Sequence, residues 1–157
     1  MKKYVIDSDI LIYFIKGKKE IVKELIKIAP SSLYITRINY TELVYGAYNS
    51  ARVEENLAKV KPFLETFQIL EFDQESSEIF AKTKATLKKK GKIIQDMDLM
   101  IASIALRHDY ALVSNNIKHF ERIDGLDLIG CCRAIEAIRK FKFLVYFYTQ
   151  AISCHVY

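Results

Sequence analysis

Short apolar runs alternate along this chain with longer stretches of helical spacing. Lys3-Tyr4-Val5-Ile6 is compact and predicts a first strand, and Ile10 to Ile15 continues as a turn or two of apolar helix ending near Gly17. From Glu20 to Ala29, Ile21, Leu25 and Ile28 recur at helical spacing until Pro30 stops them. Leu33 to Ile38, β-branched and aromatic, predicts a second strand. Asn39 then caps a helix through Leu43 and Val44 to about Tyr48. Arg52 to Phe67 reads as a helix with Leu57, Val60, Phe63 and Leu64 inward and Pro62 as a kinking point. Gln68 to Phe72 predicts a third strand. Asp73 caps a helix through Ile79, Phe80 and Leu87 to the Lys88-Lys89-Lys90-Gly91 stop. Asp96 opens the next helix, with Ile101, Ala102, Ala105 and Leu106 buried. Ala111 to Ser114 and Leu126 to Ile129 predict a fourth and a fifth strand.

Strands that alternate with helices imply an α/β domain around a mostly parallel sheet. Ligands meet such sheets beyond the carboxyl ends of the strands. Asp7 ends strand one, Glu42 follows strand two after a short connection, Ser114-Asn115-Asn116 ends strand four, and Asp98 lies in a helix first turn. If these segments converge, three or more carboxylates share a pocket. Two like charges ~4 Å apart repel by roughly 4 kcal/mol at an effective dielectric near 20, so the cluster needs protons or cations. Hard oxygen ligands favour Mg²⁺ or Mn²⁺ over zinc, and such a metal suits phosphodiester hydrolysis. No histidine is placed as a base: His108 and His119 follow element ends and His155 is in the tail. Each acid also has a purely structural reading. Asp7 and Asp9 can cap the helix near Ile10, Asn39-x-x-Glu42 has capping-box spacing, and Asp96 can be an N-cap with Asp98 serving the helix dipole.

Composition narrows the class. The 157 residues are 51% hydrophobic and 27% charged, which suits one globular domain, and no apolar run approaches the roughly 18 residues of a membrane span. An acidic residue at position 7 interrupts any signal-peptide core, so a soluble cytoplasmic protein with no membrane association is expected. The three cysteines, Cys131, Cys132 and Cys154, lack zinc-ligand spacing and read as free thiols. Of the net charge of +5, residues 131–157 carry +3 and residues 1–130 only +2. Overall basicity therefore does not argue for nucleic acid; local chemistry must.

Four segments together resemble a known family. Tyr4-Val5-Ile6-Asp7-Ser8-Asp9-Ile10-Leu11-Ile12-Tyr13 is similar to the opening strand and helix of PIN-domain proteins, specifically VapC-type toxins. Ile35-Thr36-Arg37-Ile38-Asn39-Tyr40-Thr41-Glu42-Leu43-Val44-Tyr45-Gly46 resembles their second motif. Asp98-Leu99-Met100-Ile101-Ala102 resembles the third, and Leu112-Val113-Ser114-Asn115-Asn116 followed by His119-Phe120-Glu121-Arg122 the fourth. No one motif is specific; the ordered set is, over roughly residues 3–130. The resemblance implies a PIN-like three-layer α/β/α fold with a central, mostly parallel sheet of four to five strands. It also implies Mg²⁺- or Mn²⁺-dependent endoribonuclease activity, a cognate antitoxin and a homodimer. It maps the catalytic, metal-binding acids onto Asp7, Glu42 and Asp98, with Asp96 assisting. The fourth acidic position falls at Asn116, a weaker ligand beside Asn115, which favours one firmly held metal over two. Asp9 stands where many relatives have Asn, and Ser8 is the hydroxyl that follows the first acid.

Around that nuclease domain, residues 1–130, several features admit two readings. Residues 131–157 form an atypical basic and aromatic extension with no counterpart in the motif set. Lys88-Lys89-Lys90-Gly91-Lys92 either helps hold an RNA backbone, with Lys90 and Lys92 joining Ser8, Asp9 and Asn115 as RNA contacts, or complements a helix dipole and stays solvated. Tyr40, Tyr45 and Tyr48 read as packing residues of the core or a dimer. The alternative to a nuclease toxin is a PIN module that binds RNA or a protein partner without cutting.

Overall fold

A computed structural model describes residues 2–19 and 29–130. The sequence-predicted helix at 20–29, apart from Ala29, and the whole extension at 131–157 with its cysteines lie outside the described residues. Five strands form one sheet: β1 (Tyr4–Ile6), β2 (Leu33–Thr36), β3 (Gln68–Leu70), β4 (Ala111–Ser114) and β5 (Leu128–Gly130). Their order is β3-β2-β1-β4-β5, and every neighbouring pair is parallel. The α-helices among the described residues are α1 (Ser8–Ile15), α2 (Arg37–Tyr48), α3 (Val53–Leu64), α4 (Gln74–Lys89), α5 (Asp96–His108) and α6 (Ile117–Phe120).

Strand alternation divides the core into two layers. Ile6, Ile35 and Val113 face one side, where they pack with Ile10 and Leu11 of α1, Leu43 and Ala47 of α2, and Val60 and Leu64 of α3. Val5, Tyr34 and Leu112 face the other, against Leu87 of α4, Leu99, Ile101, Ala102 and Ala105 of α5, and Phe120 of α6. Burial on both faces explains why the strands read as continuous apolar runs rather than alternating ones. The expected three-layer α/β/α arrangement with a parallel central sheet is the one observed.

Several boundaries moved, each for a local reason. Helix α2 begins at Arg37, not after Asn39, because Thr36 is the cap. Its hydroxyl accepts the Asn39 N–H at 3.1 Å, and Asn39 Oδ1 accepts the Thr36 N–H at 2.8 Å, a reciprocal capping box one turn earlier than expected. Helix α3 stops at Leu64, two residues after Pro62, and tight turns from Thr66 to Phe63 and Phe67 to Leu64 bring the chain into β3. Gln95, not Asp96, occupies the N-cap position of α5 and makes no side-chain cap. Asp73 caps α4 as expected, accepting the Ser76 N–H at 2.9 Å. Of the tyrosines, Tyr45 is 67% and Tyr48 58% exposed, so neither belongs to the core.

Asp109 closes α5 in the left-handed region at φ 53°, the one such non-glycine residue among the described ones. Its N–H returns to the Ala105 and Leu106 carbonyls, so the conformation is fixed by capping rather than by side-chain packing. Relieving the Cβ clash of that conformation outweighs the added unfolded-state freedom of glycine. Asp109→Gly is therefore expected to stabilise the protein by roughly 0.5–1 kcal/mol, seen as a higher urea midpoint at unchanged slope.

Candidate active site

The sheet order reverses at β1. The chain first runs outward to β2 and β3, then crosses back to β4 and β5, leaving a crevice at the carboxyl ends of β1 and β4. Asp7 is the first residue beyond β1, and its N–H donates to the Val113 carbonyl of β4 at 2.9 Å. The residue as a whole is only 5% exposed. Oδ2 accepts from the Ser114 hydroxyl at 2.6 Å and Oδ1 from the Ser8 N–H at 2.8 Å. The Ser114 hydroxyl in turn accepts the Asn116 N–H at 2.9 Å, so the end of β4 is folded around the acid. Asp7 is also the N-cap of α1, its carbonyl receiving the Ile10 and Leu11 N–H groups. The structural and the clustered readings of this residue hold together.

Glu42 arrives on α2. It does not serve the capping box, which belongs to Thr36 and Asn39; its Oε2 accepts from the Ser8 hydroxyl at 2.5 Å. Ser8 Oγ accepts from Asn39 Nδ2 at 2.9 Å, and the fully buried Asn39 is locked by Thr36. A polar chain, Thr36–Asn39–Ser8–Glu42, thus runs from the end of β2 across to α1 and fixes the second acid. Because Asn39 and Glu42 are three residues apart on α2, they share the face that meets α1.

Asp98 enters from the first turn of α5, its side chain 15% exposed. Asp98 Oδ2 lies 3.1 Å from His119 Nδ1 and 3.4 Å from Asn116 Nδ2, while those two nitrogens are 2.9 Å apart. With its proton on Nδ1 the imidazole donates to Asp98; with the proton on Nε2 it accepts from Asn116. In the sequence His119 reads only as an element-end residue. The signal that reveals it is its spacing of three from Asn116, which a helical turn at α6 converts into one face.

The remaining residues divide. Asp9 joins the pocket: Oδ2 accepts the Asn115 N–H at 3.0 Å, and Oδ1 is buried without a hydrogen-bond partner. Asp96 does not join; it is exposed and paired with Lys84 at 2.6 Å. Lys90 is tied to Asp124 at 2.9 Å, and Lys92 is exposed at the turn after α4.

Electrostatics mark the cluster as strained by its own charge. Burial, opposed by the Ser114 and Ser8 bonds and reinforced by Asp9 and Asp98, pushes Asp7 up to about 7. Burial likewise raises Asp9 and Glu42, and the Asp98 charge adds to both. Among the described residues no three His, Cys, Asp or Glu side chains are gathered tightly enough to ligate one ion as they stand. The donor set is nonetheless all hard oxygen, with one orphaned carboxylate atom and an uncompensated negative charge, which is what a hard divalent cation requires.

Comparison with known proteins adds an independent line. Residues 4–126 match the PIN domain family. The chain is 33% identical over 132 residues to the tRNA(fMet)-specific endonuclease VapC of Salmonella typhimurium, covering 84% of this chain and 100% of that protein. It is 35% identical over 126 residues to Ribonuclease VapC2 of Haemophilus influenzae, covering 80% and 96%. The crystal structure of DNA-bound VapBC from Salmonella typhimurium superposes with a TM-score of 0.79 at 33% identity, covering 84% of this chain and 100% of that one. VapBC2 from Rickettsia felis, bound to a promoter DNA fragment, gives 0.75 at 32% identity, covering 81% and 97%.

The raised Asp7 has a defined consequence for stability. Between its ordinary value of 3.8 and about 7, the native state keeps a proton that the unfolded chain releases. The stability this group contributes is fully present below pH 4 and is lost as pH rises through 7, by about 4 kcal/mol at most. In chelator, Asp7→Asn is expected to be more stable than the wild type at pH 8, and the difference is expected to vanish by about pH 4 in urea titrations. A difference independent of pH would contradict the burial of this charge.

Proposed function

The chain belongs to the PIN-domain family, and on that footing we propose that it is a metal-dependent endoribonuclease acting as the toxin of a toxin–antitoxin pair. The observation that carries the reading is the convergence of Asp7, Asp9, Glu42 and Asp98 on the β1–β4 crevice, in a chain whose relatives bear the names ribonuclease and endonuclease.

Asp7, Glu42 and Asp98 would hold Mg²⁺ or Mn²⁺, with the free oxygen of Asp9 at its edge. When bound, the metal supplies Lewis-acid polarisation of the phosphodiester and offsets the charge that builds on it during hydrolysis. The chain's own residues prepare that site. Ser114 and the Ser8 amide hold the two oxygens of Asp7 in fixed directions, the Ser8 hydroxyl aims Glu42 Oε2, and Asn116 with His119 brackets Asp98 Oδ2. Such partners keep ligands in place and their loss weakens a site as surely as loss of a ligand. Asn116 contributes as a hydrogen-bond donor to Asp98, which supports one metal rather than two.

On this reading the substrate is RNA, and an RNA-cleaving toxin would act where RNA is, in the cytoplasm. No helix among the described residues is long and apolar enough to cross a membrane. Two of the solved relatives are VapBC complexes, and the corresponding partner here is a cognate antitoxin whose Arg or Lys neutralises the acids in place of the cation. Tyr45 and Tyr48, exposed on α2, suit a homodimer face. A second reading, binding without cleavage, draws on Asn116 at the fourth acidic position and on the loosely gathered acids.

A cleavage assay on structured RNA separates the two. The wild type is expected to cut with Mg²⁺ or Mn²⁺ and to stop in chelator, and Asp98→Asn to lose activity by on the order of 100-fold or more. Activity that survives chelation, or that is equal in Asp98→Asn, would overturn the nuclease mechanism.

A further inference from the structure

Most cations around the acid pocket already have a carboxylate. Lys84 is 2.6 Å from Asp96, Lys90 is 2.9 Å from Asp124, and Arg37 forks onto Glu71. Lys92 and Arg122 make no ion pair among the described residues, although Lys92 lies close enough to Asp124 to lower its pKa. With Gly91 and Glu121 they line an open cleft of about 510 Å³.

The cleft has a built wall. Gly91 takes φ +66°, which turns the chain sharply out of α4 and lets the Lys92 N–H return to the Leu87 carbonyl at 2.9 Å. Arg122 Nη1 donates to the Ile93 carbonyl at 3.3 Å, which pins the guanidinium across the cleft and leaves the rest of its fork uncommitted. The side chain of Ile93, 65% exposed, gives the rim an apolar surface.

Position connects this cleft to the acids. Arg122 lies in the turn just after α6, three residues beyond His119, and the carbonyl it binds belongs to Ile93, five residues before Asp98. His119 touches Asp98. Both walls of the cleft are thus joined by short stretches of chain to the residues that hold Asp98.

We propose that the cleft between Gly91-Lys92 and Glu121-Arg122 is a phosphate subsite for single-stranded RNA. In it, Arg122 and Lys92 hold a phosphate that is not cut, and Glu121 sets an opposing charge that keeps the grip weak enough to release product. The proposal rests on the nuclease reading for its substrate class and on the cleft geometry for its place. Lys90, engaged with Asp124, is not part of it.

The test uses the full chain and a labelled twelve-nucleotide RNA of mixed sequence. Binding is measured against salt in chelator, and cleavage separately with Mg²⁺. The double variant Lys92→Gln, Arg122→Gln is expected to flatten the slope of log K against log salt by about 0.7, the loss of one phosphate contact in a single strand. In cleavage it should raise KM about 10-fold and change kcat less than about 3-fold, the signature of lost uniform binding. Arg122→Lys should restore most of the slope, since it keeps the charge, and Glu121→Gln should tighten binding. Lys61→Gln on α3, in the opposite layer, should do nothing. If the wild type cuts RNA and the double variant matches it in slope and KM, the subsite is wrong and the nuclease reading stands. If the wild type does not cut yet the slope still falls in the double variant, the subsite stands and the nuclease reading fails. Binding to an acidic peptide but not to RNA would overturn both.

Discussion

Asp7 is a carboxylate placed almost out of water at the seam between two central strands, and the surrounding structure is organised by the need to tolerate it. Its N–H is committed to β4, its two oxygens to Ser114 and Ser8, and its carbonyl to the first turn of α1. The same seam is where the strand order reverses, so helices from both layers deliver their first turns to it. Moving Asp7 by an ångström would disturb the β1–β4 register, the cap of α1 and the Ser114 turn together. Among the described residues the charge is held by hydrogen bonds rather than by a lysine or arginine, which leaves its neutralisation to a proton or to something that comes from outside.

The charges of this protein are sorted by location. Exposed cations and anions pair with one another across elements, as Lys84–Asp96, Lys90–Asp124, Arg107–Asp73 and Arg37–Glu71 do. Pairs this exposed contribute little to stability. Their effect is to withdraw lysine and arginine from the acid pocket, so that among the described residues Asp7, Asp9, Glu42 and Asp98 have no lysine or arginine at hydrogen-bonding distance, and His119 alone of the basic side chains touches Asp98. A near-neutral body can thereby carry a strongly negative pocket.

The fold was legible because burial on both faces leaves an unmistakable trace: Tyr4-Val5-Ile6, Leu33 to Thr36 and Ala111 to Ser114 are apolar runs separated by helical spacing. Asp7, Glu42 and Asp98 were legible because strand ends and helix starts are visible as changes of period. What the sequence hid depends on contacts between distant elements. Asp96 looked like a partner of Asp98, yet Lys84, twelve residues earlier on α4, holds it outside the pocket. Asn39 looked like a cap, yet it is a buried link between Thr36 and Ser8. His119 stayed invisible because α6, at four residues, is too short to show a period. Lys90 reads as solvated or RNA-facing in sequence, yet Asp124, 34 residues on, pairs with it.

The bond between Ser114 and Asp7 spans 107 positions of sequence, and the Ser8–Glu42 bond spans 34. Pairings of such separation form only after the intervening chain exists and its loop entropy has been overcome. During synthesis, a ribosome holding the first hundred residues has already made Asp7, Glu42 and Asp98 but lacks the strand against which Asp7 is seated. The pocket is therefore incomplete in any nascent copy that still lacks β4, and only the docking of that strand seats Asp7 between Ser114 and Ser8.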